Sequence, residues 1–257
     1  EFATISGATT LVGNAGGIFS QGPLALLISV VSWRAGFVAI GLLTVAIAAL
    51  CFRFIRNRPQ DMGLPPVNER EIARANLRPE PFSAVSGLKS VLSVRGILPA
   101  TFFYLFNQAG FFALISTWGI PWMVNAYGLS VQEASSYSVI LIFGIMAGGF
   151  ITGWISDRLG KRKAPMLVSS VLHMVLWAVI LLSENGMPPL GTLKILFFLL
   201  GITNTAFVLS WSVAKELTSE KFTGLAISIL NAAGFLSIAV CTSVMGWVLD
   251  LFAGLSP

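Results

Sequence analysis

Two groups of side chains in this 257-residue chain have types and spacings suited to chemistry. The first is the run Gly153-Trp154-Ile155-Ser156-Asp157-Arg158-Leu159-Gly160-Lys161-Arg162-Lys163, which sets an acid, two glycines and four cations between two long apolar segments. Such groups make ion pairs and charge-assisted hydrogen bonds. They are too costly to hold at the centre of a bilayer, so the run is a tight turn at the water interface. The second group is uncharged. Tyr104, Asn107, Gln108, Phe111 and Trp118 are spaced to share one face of a helix, and Asn204, Phe207 and Trp211 share a face of another. Amides within hydrocarbon are costly unless paired, so these residues face other helices or water rather than lipid. Amides of modest hydrogen-bonding strength beside aromatic walls let a small polar molecule bind and leave. Tyr104, Asn107, Gln108, Trp118, Asn204 and Trp211 are the polar and aromatic residues so placed; as interhelical glue or as contacts to a polar molecule, both readings stay open.

The elements that must position these groups are membrane helices. Apolar residues make up 55% of the chain and charged residues 11%, with a mean hydropathy of +0.83. Soluble domains carry about 25% charged residues, so a chain this poor in them cannot coat a water-facing globule. Seven apolar stretches, at about 4–30, 35–55, 96–120, 132–156, 164–184, 190–214 and 222–252, are long enough to span. The expected fold is an all-α polytopic transmembrane helical bundle. If the stretches alternate in direction, loops 56–95, 157–163 and 215–221 share one side. With Arg53, that side holds every cation except Arg34 and Lys194, so it is cytoplasmic and the protein is a multi-pass component of the inner (plasma) membrane. The net charge of +5 thus reports orientation, and no nucleic-acid partner is implied.

Other chemistries find no footing. Cys51 and Cys241 lie in apolar stretches as packing residues, and His173, the one histidine, has no metal-binding cluster around it. It reads as a structural histidine. No nucleotide-binding loop, catalytic triad or pair of catalytic carboxylates is present, so neither an enzyme nor a cofactor is expected.

The stretch 56–95, rich in prolines from Pro59 to Pro81, reads as a cytoplasmic linker with one short amphipathic helix near 67–77. It divides the chain into 1–55 with two spans and 96–257 with five. The first and last spans match at an offset of 217: Gly7 with Gly224, Asn14 with Asn231, Ala15 with Ala232 and Gly17 with Gly234. Parallel repeats are a known design of membrane transporters. Gly7, Asn14, Gly17, Gly224, Asn231 and Gly234 are read as helix-packing or hinge positions.

The pattern Gly153-x-x-x-Asp157-Arg158-x-Gly160-Lys161-Arg162 resembles the loop signature of the major facilitator superfamily of secondary transporters. Trp33-Arg34 and Arg58-Pro59-Gln60-Asp61-Met62-Gly63-Leu64-Pro65-Pro66 are similar to its sugar-phosphate and organic-anion permeases. The resemblance implies a partial major facilitator fold, helices five to eleven of twelve, with 1–55 ending one half, 56–95 the central loop and 96–257 most of the second half. The chain is then expected to be a piece of a longer protein. Gly13-x8-Gly22-Pro23 resembles the front of an antiporter motif, yet Leu26 and Leu27 stand where it has glycines, so symport and antiport both remain.

The resemblance also assigns roles: the family's central cavity is lined in part by its seventh and tenth helices, so Tyr104, Asn107, Gln108 and Trp118 on the one and Asn204 and Trp211 on the other are candidate substrate ligands. Gly153, Asp157, Arg158, Gly160, Lys161, Arg162 and Glu216 form a gating motif. Asp157 is expected at the N-terminus of the first span near Thr4 to Ser6. Arg158 is expected to pair with Glu216, or Lys161 with Glu220, while Lys161, Arg162 and Lys163 anchor topology beside lipid headgroups. The implied function is secondary active transport of a small polar metabolite, an organic anion among the candidates, by alternating access. Partners are the substrate, the bilayer and a coupling ion (proton or sodium), with the full-length protein a monomer. The alternative is a transporter-like receptor that senses a solute without net transport. No charged residue lies between Arg95 and Glu133, so any cation for an anionic substrate belongs to helices outside this chain.

Overall fold

The computed structural model describes residues 32–56, 59–64, 83–183 and 186–252, with residues 5, 8, 9, 12, 13 and 16. It is all-helical, and among the described residues six helices are long and apolar enough to cross a membrane. The first expected span, 4–30, and the expected helix near 67–77 lie mostly or wholly outside the described residues, as do Gly7, Asn14 and Gly17. The chain forms two compact units, Phe19–Ser83 and Glu1–Ile18 with Ala84–Pro257.

The smaller unit contains α1, Trp33–Phe54, started by the Ser32 hydroxyl, which accepts from the Ala35 amide at 3.2 Å. Of its residues only Gly36 is buried, and Phe37, Leu42, Leu50 and Phe52 are exposed. An all-round apolar helix of this kind needs lipid or other helices around it. Beyond it, a 3-10 turn at Pro59–Met62 ends at Gly63, whose φ of 72° suits a residue without a Cβ.

In the larger unit, α2 (Ala84–Leu92) falls inside the stretch read as linker. No proline stands between Pro81 and Pro99, and the apolar Val91 side chain is buried against the bundle, where α2 meets the last helix. Five long helices follow: α3 (Ile97–Tyr127), α4 (Val131–Leu159), α5 (Lys163–Leu182), α6 (Leu190–Leu217) and α7 (Glu220–Phe252). Their ends are written locally. Gly96, Gly128 and Gly160 adopt positive φ of 110°, 66° and 60° at the boundaries of α3 and α4. Ser130 and Glu133 form a reciprocal capping box at the start of α4, worth about 1 kcal/mol.

Two of these helices are not uniform. In α3, residues Ala113–Trp118 form a π turn, closed by the Gly119 amide bonding the Leu114 carbonyl five residues back. Pro121 explains it: its ring would crowd the Thr117 carbonyl and it lacks an N–H, so the helix widens just before it. In α6, the α-helical pieces Leu190–Asn204 and Phe207–Leu217 are separated at Thr205 and Ala206. There the amides of Thr205, Ala206, Val208 and Leu209 bond carbonyls three residues back, and the Thr203 and Thr205 hydroxyls bond carbonyls of the preceding turn. Side chains competing for backbone acceptors loosen a helix in this way.

Helix α4 packs on the first part of α6, and α7 runs beside α3. The second part of α6 lies against α3 and α7, while α5 covers the first part of α6. Glycines set the α4–α6 approach: a Cβ on Gly144 would collide with the Phe198 carbonyl, one on Gly201 with the Leu141 carbonyl, and one on Gly148 would lie 2.6 Å from Ile202.

Candidate functional site

Three of the uncharged candidates, Tyr104, Gln108 and Trp211, gather where α3, the second part of α6, and α7 meet. Tyr104 is the centre. Its phenol donates to Asn231 Oδ1 of α7 at 2.9 Å and accepts from Gln108 Nε2 at 3.5 Å. Its ring meets Phe207 edge-on at 5.7 Å and lies 6.2 Å from Trp211, while Phe207 and Trp211 pack edge-on at 5.4 Å. The ring lies where a side chain at position 234 would be, since a Cβ on Gly234 would collide with Tyr104 Cε1. Asn231 and Gly234, expected to serve packing, therefore belong to the same cluster as Tyr104. A Cβ on Gly224 meets nothing within 4 Å among the described residues.

Helices α3 and α6 also hold buried polar atoms that the described fold does not use. Asn107 Oδ1, Gln108 Oε1, Asn204 Oδ1, Ser210 Oγ and Ser212 Oγ are buried and have no hydrogen-bond partner among the described residues. Asn204, at 1% exposed, sits at the end of the first α-helical piece of α6, next to the break. Each such orphan costs about 1–3 kcal/mol, so a cluster of them is not a stabilising device.

Trp118 stands apart. Its indole Nε1 donates to the Thr242 carbonyl of α7 at 3.3 Å, so its polar atom is already used. It also lines a separate, largely apolar cavity of about 900 Å³ with Leu114, Trp122, Trp177, Met187 and Met245. None of the other five substrate candidates lines that cavity.

The charged turn closes around Arg162, not Arg158. Arg162 Nη1 donates to Asp157 Oδ1 at 2.7 Å and to Ser156 Oγ at 2.9 Å, while Nε and Nη2 reach Glu216 Oε1 at 2.8 and 2.7 Å. One guanidinium thus ties the end of α4 to the end of α6. The expected Arg158–Glu216 pair is corrected by this geometry: Arg158 stacks over the Trp154 ring at 5.2 Å instead. Gly160 explains the choice. Its left-handed turn after Leu159 reverses the chain, and Ser156 Oγ secures it by donating to the Lys161 carbonyl at 3.0 Å. The next side chain, Arg162, is thereby aimed back over the helix end it left. Burial works against the Arg162 charge, but the hydrogen bonds to Glu216 and Asp157 outweigh it and hold the guanidinium above its ordinary pKa. The expected contact of Asp157 with residues near Thr4 lies outside the described residues.

Two further links were not legible beforehand. Thr152 of α4 and Thr205 of α6 share a hydrogen bond of 3.0 Å between hydroxyls. His173 of α5 bonds Thr203 of α6 through Nδ1 at 2.8 Å and accepts from Trp177 Nε1 at Nε2 at 3.1 Å. The spacing His173–Trp177, one helical turn, was the only signal available.

Comparison with known proteins agrees with this architecture. The profile of the Major Facilitator Superfamily matches residues 1–242. The chain is 25% identical to the hexuronate transporter of Bacillus subtilis (strain 168), over 96% of this chain and 58% of that protein. It is 26% identical to the membrane sensor protein UhpC of Salmonella typhimurium, over 68% of this chain and 39% of that protein. It is also 25% identical to the glycerol-3-phosphate transporter of Bacillus subtilis, over 86% of this chain and 51% of that protein. The chain spans about half the length of the curated relatives it matches. With the relatives bacterial and six helices able to span, the protein is a multi-pass component of the inner membrane. An all-helical membrane bundle, a basic turn wound around Arg162 and a match over almost the whole length lead to one assignment: this chain belongs to the Major Facilitator Superfamily of transporters.

Proposed function

We propose that the chain is part of a secondary active transporter for a small hydroxylated organic acid, working by alternating access. In this reading residues 1–55 close one half of the transporter, 56–95 join the halves, and 96–257 supply most of the second half. The observation that carries it is the set of buried carbonyl oxygens of Asn107, Gln108 and Asn204, without a partner among the described residues, on the two helices α3 and α6 that also bring the Tyr104, Phe207 and Trp211 rings together. Three acceptors suit the hydroxyls of a sugar-like molecule, and aromatic faces suit its C–H surfaces. Neither group suits a carboxylate or phosphate, and no charged residue stands between Arg95 and Glu133 or between Lys194 and Lys215. The substrate's anionic end is then met by residues outside this chain. The names of two relatives, a hexuronate and a glycerol-3-phosphate transporter, support a substrate that is both hydroxylated and anionic.

Arg162 is the gate latch in this reading. Its ties to Asp157 and Glu216 hold α4, the following turn and α6 together on the cytoplasmic side, and they part when that side opens. A coupling ion, proton or sodium, drives the cycle.

A second reading follows from the similarity to the membrane sensor UhpC: the protein binds its solute and signals without net transport. Counterflow with the native gene product in proteoliposomes separates the two. A transporter preloaded with D-glucuronate accumulates labelled D-glucuronate transiently, whereas a sensor binds it without exchange. No binding and no counterflow with D-glucuronate, D-glucarate or glycerol 3-phosphate removes the hydroxylated-acid reading.

A further inference from the structure

We propose that His173, on α5 and apart from the cluster, is a positioning residue that fixes the rotational position in which Asn204 is buried with its Oδ1 unpartnered among the described residues; this rests on the reading of Asn204 as a substrate ligand. The α6 break is a weak point, because between Ile202 and Leu209 the backbone winds with bonds to carbonyls three residues back. A helix loosened there is free to rotate about its axis, and rotation of one residue position would carry Asn204 about 100° around α6, out of its buried position.

Two side-chain bridges prevent this, one on each side of Asn204. Thr203 is tied to α5 by His173 at 2.8 Å, and Thr205 is tied to α4 by Thr152 at 3.0 Å. Flanking residues on a helix point in different directions, so bonds from 203 and 205 to two different helices fix the rotation between them. Asn204, 1% exposed, is left with its Oδ1 unpartnered.

The tautomer of His173 follows from its neighbours. Trp177 Nε1–H donates to Nε2 at 3.1 Å, so Nε2 carries no proton. Nδ1 therefore carries it and donates to Thr203 Oγ1, whose own hydrogen goes to the Leu199 carbonyl at 3.0 Å. The result is a directed chain, Trp177 to His173 to Thr203 to the Leu199 carbonyl of α6, whose link on α6, Thr203, is the residue before Asn204. A histidine serving only as packing would need no such orientation. An apolar side chain of like shape would fill the space and leave Thr203 bonded to its own helix.

The test uses the native gene product with its cysteines replaced and Asn204→Cys introduced, labelled in membranes with N-ethylmaleimide. Adding His173→Ala is expected to change the labelling rate about fivefold or more, because position 204 turns. His173→Asn, whose Nδ2–H sits near the Nδ1 position, is expected to keep the rate within about twofold, and His173→Gln, whose donor sits near Nε2, is not. If Asn, Gln and Ala at 173 all label like the parent, the proposal is overturned. This readout needs no substrate, so it stands whether or not the transport reading does. In uptake of D-glucuronate with Asn204 present, His173→Ala is expected to raise KM about tenfold with Vmax within about twofold, and to add nothing in an Asn204→Ala background. Independent, additive effects on KM would show that His173 does not act through Asn204. Absence of D-glucuronate uptake by the parent protein would count against the substrate class, while the labelling rates still decide the role of His173.

Discussion

Tyr104 of α3 and Gly234 of α7 occupy one space between them: the phenol ring lies where any side chain at 234 would have to go, and its hydroxyl reaches Asn231 one turn earlier at 2.9 Å. A packing glycine and a candidate ligand are thus a single device. It brings α7 close enough for its amide to orient Tyr104, and so to fix where the Phe207 and Trp211 rings stand.

Gly234→Ala must push the Tyr104 ring aside, because the new methyl would also lie 2.9 Å from Tyr104 Cδ1. Uptake by the native gene product should fall about tenfold or more, with the protein still inserted, since overpacking of this size costs about 1–3 kcal/mol. Gly224→Ala, with nothing within 4 Å among the described residues, should leave uptake within about twofold. Equal effects at these two glycines of α7 would contradict the cluster.

Arg162→Ala should lower the transport rate at least about tenfold, because it removes the hydrogen bonds to Asp157, Ser156 and Glu216 together. Arg162→Lys should not restore it, as an ammonium cannot span three partners in the fork geometry. Arg158→Ala removes only a stack on Trp154 and should stay within about twofold. Initial-rate uptake normalised to membrane protein level makes the comparison, and a larger loss at Arg158 would return the latch to that residue.

Asn204→Leu should separate stability from function. Removing a buried, unpartnered amide oxygen spares about 1–3 kcal/mol of unmet desolvation, so thermal unfolding in detergent should be unchanged or rise by a few degrees. Uptake should fall at least about tenfold. A clear drop in melting temperature would mean that Asn204 is interhelical glue.

Gly201→Val should impair folding itself. Its Cβ would strike the Leu141 carbonyl and lie 2.8 Å from the Ile145 amide nitrogen, both backbone atoms that cannot swing away. Yield of monodisperse protein should collapse, whereas Gly191→Ala, in open space among the described residues, should not change it.

Much of this was legible in the residues themselves. Hydrocarbon leaves the backbone no partner but itself, so apolar stretches of this length had to be helices, and the positions of Arg53 to Arg95 and Arg158 to Lys163 had to mark one side of the membrane. The interfacial turn at Gly160 was readable for the same reason, as was the shared face of Tyr104 and Gln108, whose side chains meet. Helical periodicity is a property of one helix, and it needs no neighbour.

Pairings between helices were another matter. That Arg162, not Arg158, reaches Glu216 depends on how the left-handed Gly160 turn aims the next residues, and on α6 ending beside α4. That Asn231 belongs with Tyr104, that Trp118 is spent on the Thr242 carbonyl, and that His173 reaches Thr203 all depend on which faces of α3, α5, α6 and α7 come within 3 Å or so of one another. The physical reason is the range of the forces. The cost of leaving water acts on each segment alone and is written residue by residue. A hydrogen bond or a glycine contact is decided over tenths of an ångström between segments far apart in the chain, and only the packed bundle brings them together.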